Sequence, residues 1–219
     1  SSVSKNKIPI QKPVNAGTND SFPISAACSM AGISRLHTDA SLRTIAAAAG
    51  TSTNSIYVRF RDKEGLFSAI VEPVLNEMIS MFARIQETFH QLDSRAQVEI
   101  LPNYSANGME TLIDFMYDHP DEFRLLLDAS HGTRFHNFVD EMVRIEVEYT
   151  YKYMTATGYP ETIGDAMTET VLHIVTTSYF EGIFEVIRHG MSRDEAKKYI
   201  SLLGRYHHTG FDAIFTPEK

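Results

Sequence analysis

Four consecutive alanines, Ala46 to Ala49, run into Gly50, and Thr51, Ser52 and Thr53 follow at once. Alanine is the strongest helix former and glycine supplies the left-handed residue at which helices stop, so a short helix ends here. Thr51 and Ser52 then offer a fresh N-cap, and a second helix starts within a few residues. The first helix spans Ser41 to Ala49, with Ser41 or Asp39 as its cap and Leu42, Ile45, Ala46 and Ala49 on one face. The second runs from about Thr53 to Phe60. Two short helices on a tight Gly turn form a helix-turn-helix, the unit whose second helix enters the major groove of DNA.

Charge is divided to match. The chain of 219 residues carries a net charge of -8, yet Ser1 to Lys63 holds eight Lys/Arg against three acids, a balance of +5. The rest therefore carries -13. A basic segment approaches a polyanion while an acidic body avoids phosphate elsewhere. With 43% hydrophobic and 22% charged residues, collagen-like, long disordered and disulfide-miniprotein classes are excluded. The single cysteine, Cys28, makes no internal disulfide and fits a reducing compartment, a bridge to a second chain aside. Apolar runs are broken by Glu181 and Arg188 or by Asp114 and Asp118, and the first twenty residues lack an apolar signal core. The expectation is a cytoplasmic protein without a membrane span.

Residues 1–22, with Pro9, Pro13 and Gly17, read as a flexible arm, and Ile24, Ala27, Cys28 and Ala31 as the apolar face of a helix ending near Gly32. The string from Thr44 to Val71 resembles the DNA-binding signature of the TetR family of transcriptional regulators. The resemblance rests on Ile45-Ala46, Ala49-Gly50, Ser52, Ile56-Tyr57, Phe60, Lys63-Glu64 and Leu66. It extends back to Ile24 without a gap. The chain departs from the family at Asn54, where Gly is common, at Arg59, where His is frequent, and at Leu36-His37, where Gly and an aromatic are usual. The resemblance implies an all-α fold: a three-helix DNA-binding domain over 23–70, then a helical ligand-binding and dimerisation domain over 71–219.

On the second helix, Thr53, Asn54, Ser55 and Arg59 are the candidate base readers, since Asn pairs with adenine and Arg with guanine, while Ser and Thr read either base. Arg43, Thr44, Tyr57 and Lys63 are the candidate phosphate contacts, Tyr57 by the family's pattern and Lys63 at the start of the next helix.

The body reads as long amphipathic helices. Lys63 to about Leu92 is the first, kinked at Pro73. Asp93 to Asn107 is expected as a connection with partial helix, Met109 to His119 and Pro120 to Ala129 as short helices, and Thr133 to Thr157 as a long one ended by Gly158. Thr162 to His189 and Ser192 to Phe215 close the chain, the latter opened by the Ser192/Glu195 capping box. The methionines and aromatics of the middle helices, Met109 and Tyr153 with Phe115, Met116, Phe123, Met142 and Tyr149 among them, suit a pocket for a bulky apolar effector and are also what a plain core contains, and His173 with Thr177 forms a polar pair on an apolar helix. The last two helices are apolar on two sides, so Tyr179, Gly182, Ile183, Val186, Leu203 and Tyr206 are the expected homodimer contacts, in a four-helix interface like that of the resembled family.

No nucleophile-elbow, zinc-protease, P-loop or dinucleotide fingerprint occurs, so no enzyme, cofactor or metal is expected. The pairs His131/His136 and His207/His208 lack metal-ligand spacing. The reading is a sequence-specific repressor on double-stranded operator DNA, released by a small-molecule effector. Its rival is a helical enzyme or lipid carrier without DNA binding.

Overall fold

The computed structural model describes residues 41–158 and 165–215. The expected arm over 1–22 and the helix from Ile24 to Gly32 lie outside the described residues. Those described form eight helices and no strand. Helix α1 covers Leu42–Ala48 and α2 Thr53–Phe60. Ser41 caps α1 by accepting from the Thr44 amide at 3.2 Å, and Ser52 caps α2 by accepting from Ser55 at 3.0 Å. Gly50 turns between them at φ 63, the left-handed geometry that its lack of Cβ permits.

Arg61 leaves α2 at φ 70, a conformation costly for a residue with a side chain. It is held by the next helix, α3 (Lys63–His90), whose cap Asp62 accepts from the Gly65 amide at 2.8 Å. A Cβ on Gly65 would stand 1.9 Å from the Phe60 carbonyl oxygen. Glycine alone lets α2 abut α3 this closely.

Pro73 sits inside α3 on its exposed side. There the loss of one amide donor, toward the carbonyl of Ala69, is tolerated by water. By length and composition α3 is apolar enough to cross a membrane, contrary to the expectation that charges break every such run. Its apolar residues instead build the core, with Phe82, Met78 and Val71 fully covered.

Around α3 pack α4 (Ser94–Asp118), α5 (Pro120–Ala129) and α6 (Phe138–Thr157), with α7 (Asp165–Arg188) and α8 (Arg193–Phe215) against α6, α5 and α4. One apolar cluster runs from Ile45 in α1 through α3 to Ile200 in α8. The expected connection over Asp93–Asn107 is helix throughout, a correction to the reading of Pro102, Asn103 and Gly108 as breakers. Asp93 caps α4 through the Ala96 amide at 3.0 Å. Pro102 faces solvent, and Gly108 is a packing residue whose Cβ would lie 3.1 Å from Ile85 Cγ2.

Helix α6 starts at Phe138 rather than Thr133, because the Thr133 hydroxyl donates to Ser130 O and accepts from the Phe135 amide. Those bonds favour turns over a helical start. Substituting Gly65→Ala should lower unfolding free energy by about 1–3 kcal/mol, through overpacking against backbone that has no way to yield. Urea denaturation with guanidine as a cross-check measures it, and an unchanged midpoint would contradict the contact.

Candidate nucleic-acid interface and effector cavity

Ile56 is the buried residue of α2, and Phe60 is half-covered beside it. The other side of the helix is open: Thr53, Asn54, Ser55, Tyr57, Val58 and Arg59 are all exposed, Tyr57 at 63% and Val58 at 76%. The Ser55 hydroxyl lies 2.8 Å from the Ser52 hydroxyl, so it also serves the cap. Thr44 is tied likewise to Ser41 at 3.0 Å, and Arg43 is exposed beside it. Lys63 is half-buried at the start of α3.

Sequence reasoning passed over Val58. It stands one turn from Asn54 on the face opposite Ile56, where an exposed β-branched residue has no packing role. Apolar side chains in that position meet thymine methyl groups.

The body encloses a cavity in two adjoining parts. The outer, about 440 Å³, lies between α4 and α8, with exposed residues such as Pro102, Glu110 and Arg205 at its rim. A volume of that size suits a small organic ligand. The inner part, about 100 Å³, is lined by no exposed residue. It is walled by Ile85, Gln86, Phe89 and His90 of α3, by Tyr104 of α4, by Glu146, Tyr149 and Tyr153 of α6, and by Tyr179, His207 and Phe211 of the last two helices. Leu101, Ser105, Met109, Tyr153, Tyr179, His208 and Phe211 belong to both parts, which makes them continuous.

The inner chamber is aromatic with a buried acid. Phe89 packs against Tyr104 and Tyr153 at 5.2 and 6.2 Å between ring centres, and His90 against Tyr149 at 4.9 Å. Gln86 Nε2 donates to Glu146 Oε2 at 2.5 Å, and no cation pairs with Glu146 among the described residues. Glu146 lines the chamber, and burial pushes its carboxyl up to about 7. Tyr179 is driven upward by its own burial and by Glu146. His207, stacked on Tyr179 at 4.3 Å, is pushed down to about 4 by burial, with His208 adding repulsion.

Of the residues expected around an effector, Met109, Tyr149 and Tyr153 line this cavity. Met116, Phe123 and Met142 are fully packed core. Phe115 stacks beside His119 at 4.7 Å. His173 is exposed on α7, and the Thr177 hydroxyl donates to its backbone carbonyl. Methionine and aromatic content does not separate a wall from a core, since both demand apolar volume.

The surface of α7 and α8 also differs from expectation. Tyr179, Ile183 and Val186 are buried inside the chain, and Gly182 receives Leu203 of the same chain, whose Cδ2 would lie 3.1 Å from an added Cβ. The close approach is therefore between α7 and α8 themselves. What remains outward is Ile174 at 57%, Leu202 at 62% and Tyr206 at 80%, with Met167 and Ile214. Tyr206 alone of the expected dimer contacts is freely exposed.

His131 and His136 meet edge to face at 4.9 Å, but no group of three or more metal-ligating side chains converges among the described residues.

Residues 38–70 match the family described as bacterial regulatory proteins, tetR family. No curated protein matches the chain. Among solved structures, one from Mesorhizobium loti assigned to the TetR family of transcriptional regulators is 18% identical, covers 85% of this chain and 93% of its own, and superposes with a TM-score of 0.55. The fatty acid degradation regulator FadR of Bacillus halodurans is 17% identical over 84% of this chain and 94% of its own, with a TM-score of 0.48. The fold is thus shared with the first of these over 85% of this chain.

The raised carboxyl sets a pH dependence. From about pH 4.5 to about pH 7 the folded protein keeps a proton on Glu146 that the unfolded chain has released, so this group's contribution to stability falls as pH rises. His207 acts in the opposite sense over a largely overlapping range, about pH 4 to about pH 6.5, where the unfolded chain binds the proton first. Comparing the parent with Glu146→Gln isolates the first effect. The variant should gain up to about 3 kcal/mol relative to the parent between about pH 5 and about pH 8. Thermal melts across that range check it, and parallel curves would refute it.

Proposed function

We propose that this chain, a DNA-binding transcriptional regulator of the TetR family, acts as a homodimeric repressor that leaves its operator when a bulky, largely apolar molecule enters the body. The observation that carries the reading is the course of α3. Its first turn abuts α2 through Gly65, and its last two turns, Ile85 to His90, wall the inner chamber. At 1.5 Å per residue, 28 residues make a rod of about 42 Å joining reader to cavity.

A fulcrum lies between. Arg134, in the turns before α6, pairs with Glu72 at 2.6 Å, and Phe135 packs on Phe67 at 5.7 Å. A ligand that displaces the far end of α3 tilts α2 about this point. In a dimer, that changes the separation of the two recognition helices, which DNA fixes at about one helical turn, roughly 34–36 Å. Coupling is mutual: an effector that weakens DNA binding tenfold is itself bound tenfold more weakly by the complex, about 1.4 kcal/mol.

Asn54, Arg59 and Val58 are assigned to base edges, with Thr53 and Ser55 beside them. Arg43, Thr44, Tyr57 and Lys63 are assigned to phosphates. The dimer surface is assigned to Ile174, Leu202 and Tyr206, because an apolar face on two adjacent helices loses water when a second copy covers it.

Two experiments test this. Titration of labelled duplexes should show Arg59→Ala and Asn54→Ala losing about 1–3 kcal/mol on the preferred sequence while Tyr57→Phe and Lys63→Ala weaken all duplexes alike. If Lys63→Ala shifted sequence preference as strongly as Arg59→Ala, the division of roles would be wrong. Sedimentation should show a dimer that Leu202→Glu with Tyr206→Glu converts to monomer, with operator binding lost in step. A double variant still dimeric at micromolar concentration would move the interface elsewhere.

A further inference from the structure

We infer that the inner chamber selects an organic cation, a hydrophobic amine whose ammonium N–H groups are received by Glu146 and whose apolar body lies among Phe89, Tyr104, Tyr149 and Tyr153. The inference rests on the effector reading above: that reading needs a ligand in the cavity, and this one names the ligand's charge.

Glu146 is the acid of the wall, and its carboxyl has one hydrogen-bond partner there, Gln86 Nε2, and no cation among the described residues. The Tyr104 hydroxyl is taken up by the Ile85 carbonyl, to which it donates at 2.9 Å. His90 Nδ1 lies 2.9 Å from the carbonyl of Gln86, which only accepts, so that nitrogen carries the ring proton. Gln86 therefore fixes two parts of the wall, Glu146 by its side chain and His90 by its backbone. A carboxylate offers about four lone-pair sites, so Glu146 keeps acceptor capacity for a further donor.

Charge narrows the class further. No Lys or Arg lines the inner chamber. A carboxylate or phosphate there would find no Lys or Arg and would be repelled by ionised Glu146, whereas an ammonium supplies the counter-charge that the ionised form lacks. Burial holds the Glu146 carboxyl near neutrality, so an arriving cation ionises it and gains a pair shielded from water. The ring faces favour the same sign, since aromatic quadrupoles attract cations within about 6 Å. Tyr149 already takes one, with Lys152 Nζ at 3.9 Å from its centre.

The test uses phenethylamine, phenylbutylamine and naphthylmethylamine, each beside the alcohol and the carboxylate of the same skeleton, titrated calorimetrically into the full chain near neutral pH. The amine of at least one skeleton should bind about tenfold or more tighter than its alcohol, with the carboxylate weaker still, because a site of open acceptors rejects analogues that do not fill them. In Glu146→Gln that preference should collapse while alcohol affinity is retained. The amine-to-alcohol ratio in the parent protein decides the matter alone if the variant fails to fold. An alcohol or carboxylate that binds as tightly as its amine in every skeleton overturns the cation assignment and leaves the cavity reading standing. No binding by any of these probes overturns both.

Discussion

Gly65 lies so near the carbonyl of Phe60 that no side chain fits between them, and this contact sets the angle at which α2 meets the long α3. Around it, Arg61 accepts a left-handed backbone and Asp62 closes the first turn of α3. The arrangement spends conformational strain at one residue to remove slack from a junction. Because the same α3 supplies a shared surface for α4, α5 and α6, the placement of these three helices is referred back to the orientation of α2. The proposed regulation would need that rigidity, since a loose joint would absorb any motion before it reached DNA.

The helix-turn-helix was legible from local chemistry because its signals are local. An alanine run, a glycine stop and serine caps are each decided within one turn of chain, and Gly50, Ser41 and Ser52 do in the structure what their types imply. Pro102 misled for the same reason. A proline breaks a helix by local rules, but an exposed one in an otherwise stable helix loses only a bond that water replaces. The cavity was least legible. Gln86, His90 and Glu146 lie sixty residues apart at the extremes, on helices whose relative rotation no periodicity reports. Glutamate in a helix reads as surface until its neighbours are known.

The outward face of α7 and α8 teaches a related point. Two-sided apolar helices announce that something covers each side, yet the sequence does not say which side the chain covers itself. Gly182 was a sound marker of close approach, and the partner is Leu203 of the same chain. Small residues mark proximity between helices and carry no information on which molecule supplies the second one.

The division of charge along the chain has a kinetic meaning. Along the sequence the balance is +5 up to Lys63 and -13 beyond, and the described residues 41–63 hold four Lys/Arg against one Asp. In the proposed regulator the field of a DNA duplex would exert a torque before contact, so that encounters would begin with α2 forward. The acidic body would meanwhile gather small cations from solution around the helices that enclose the chamber. One separation of charge would thus sort the two proposed visitors, the polyanion to one end and the ammonium to the other, and both effects would fade together as added salt shortens the reach of the field.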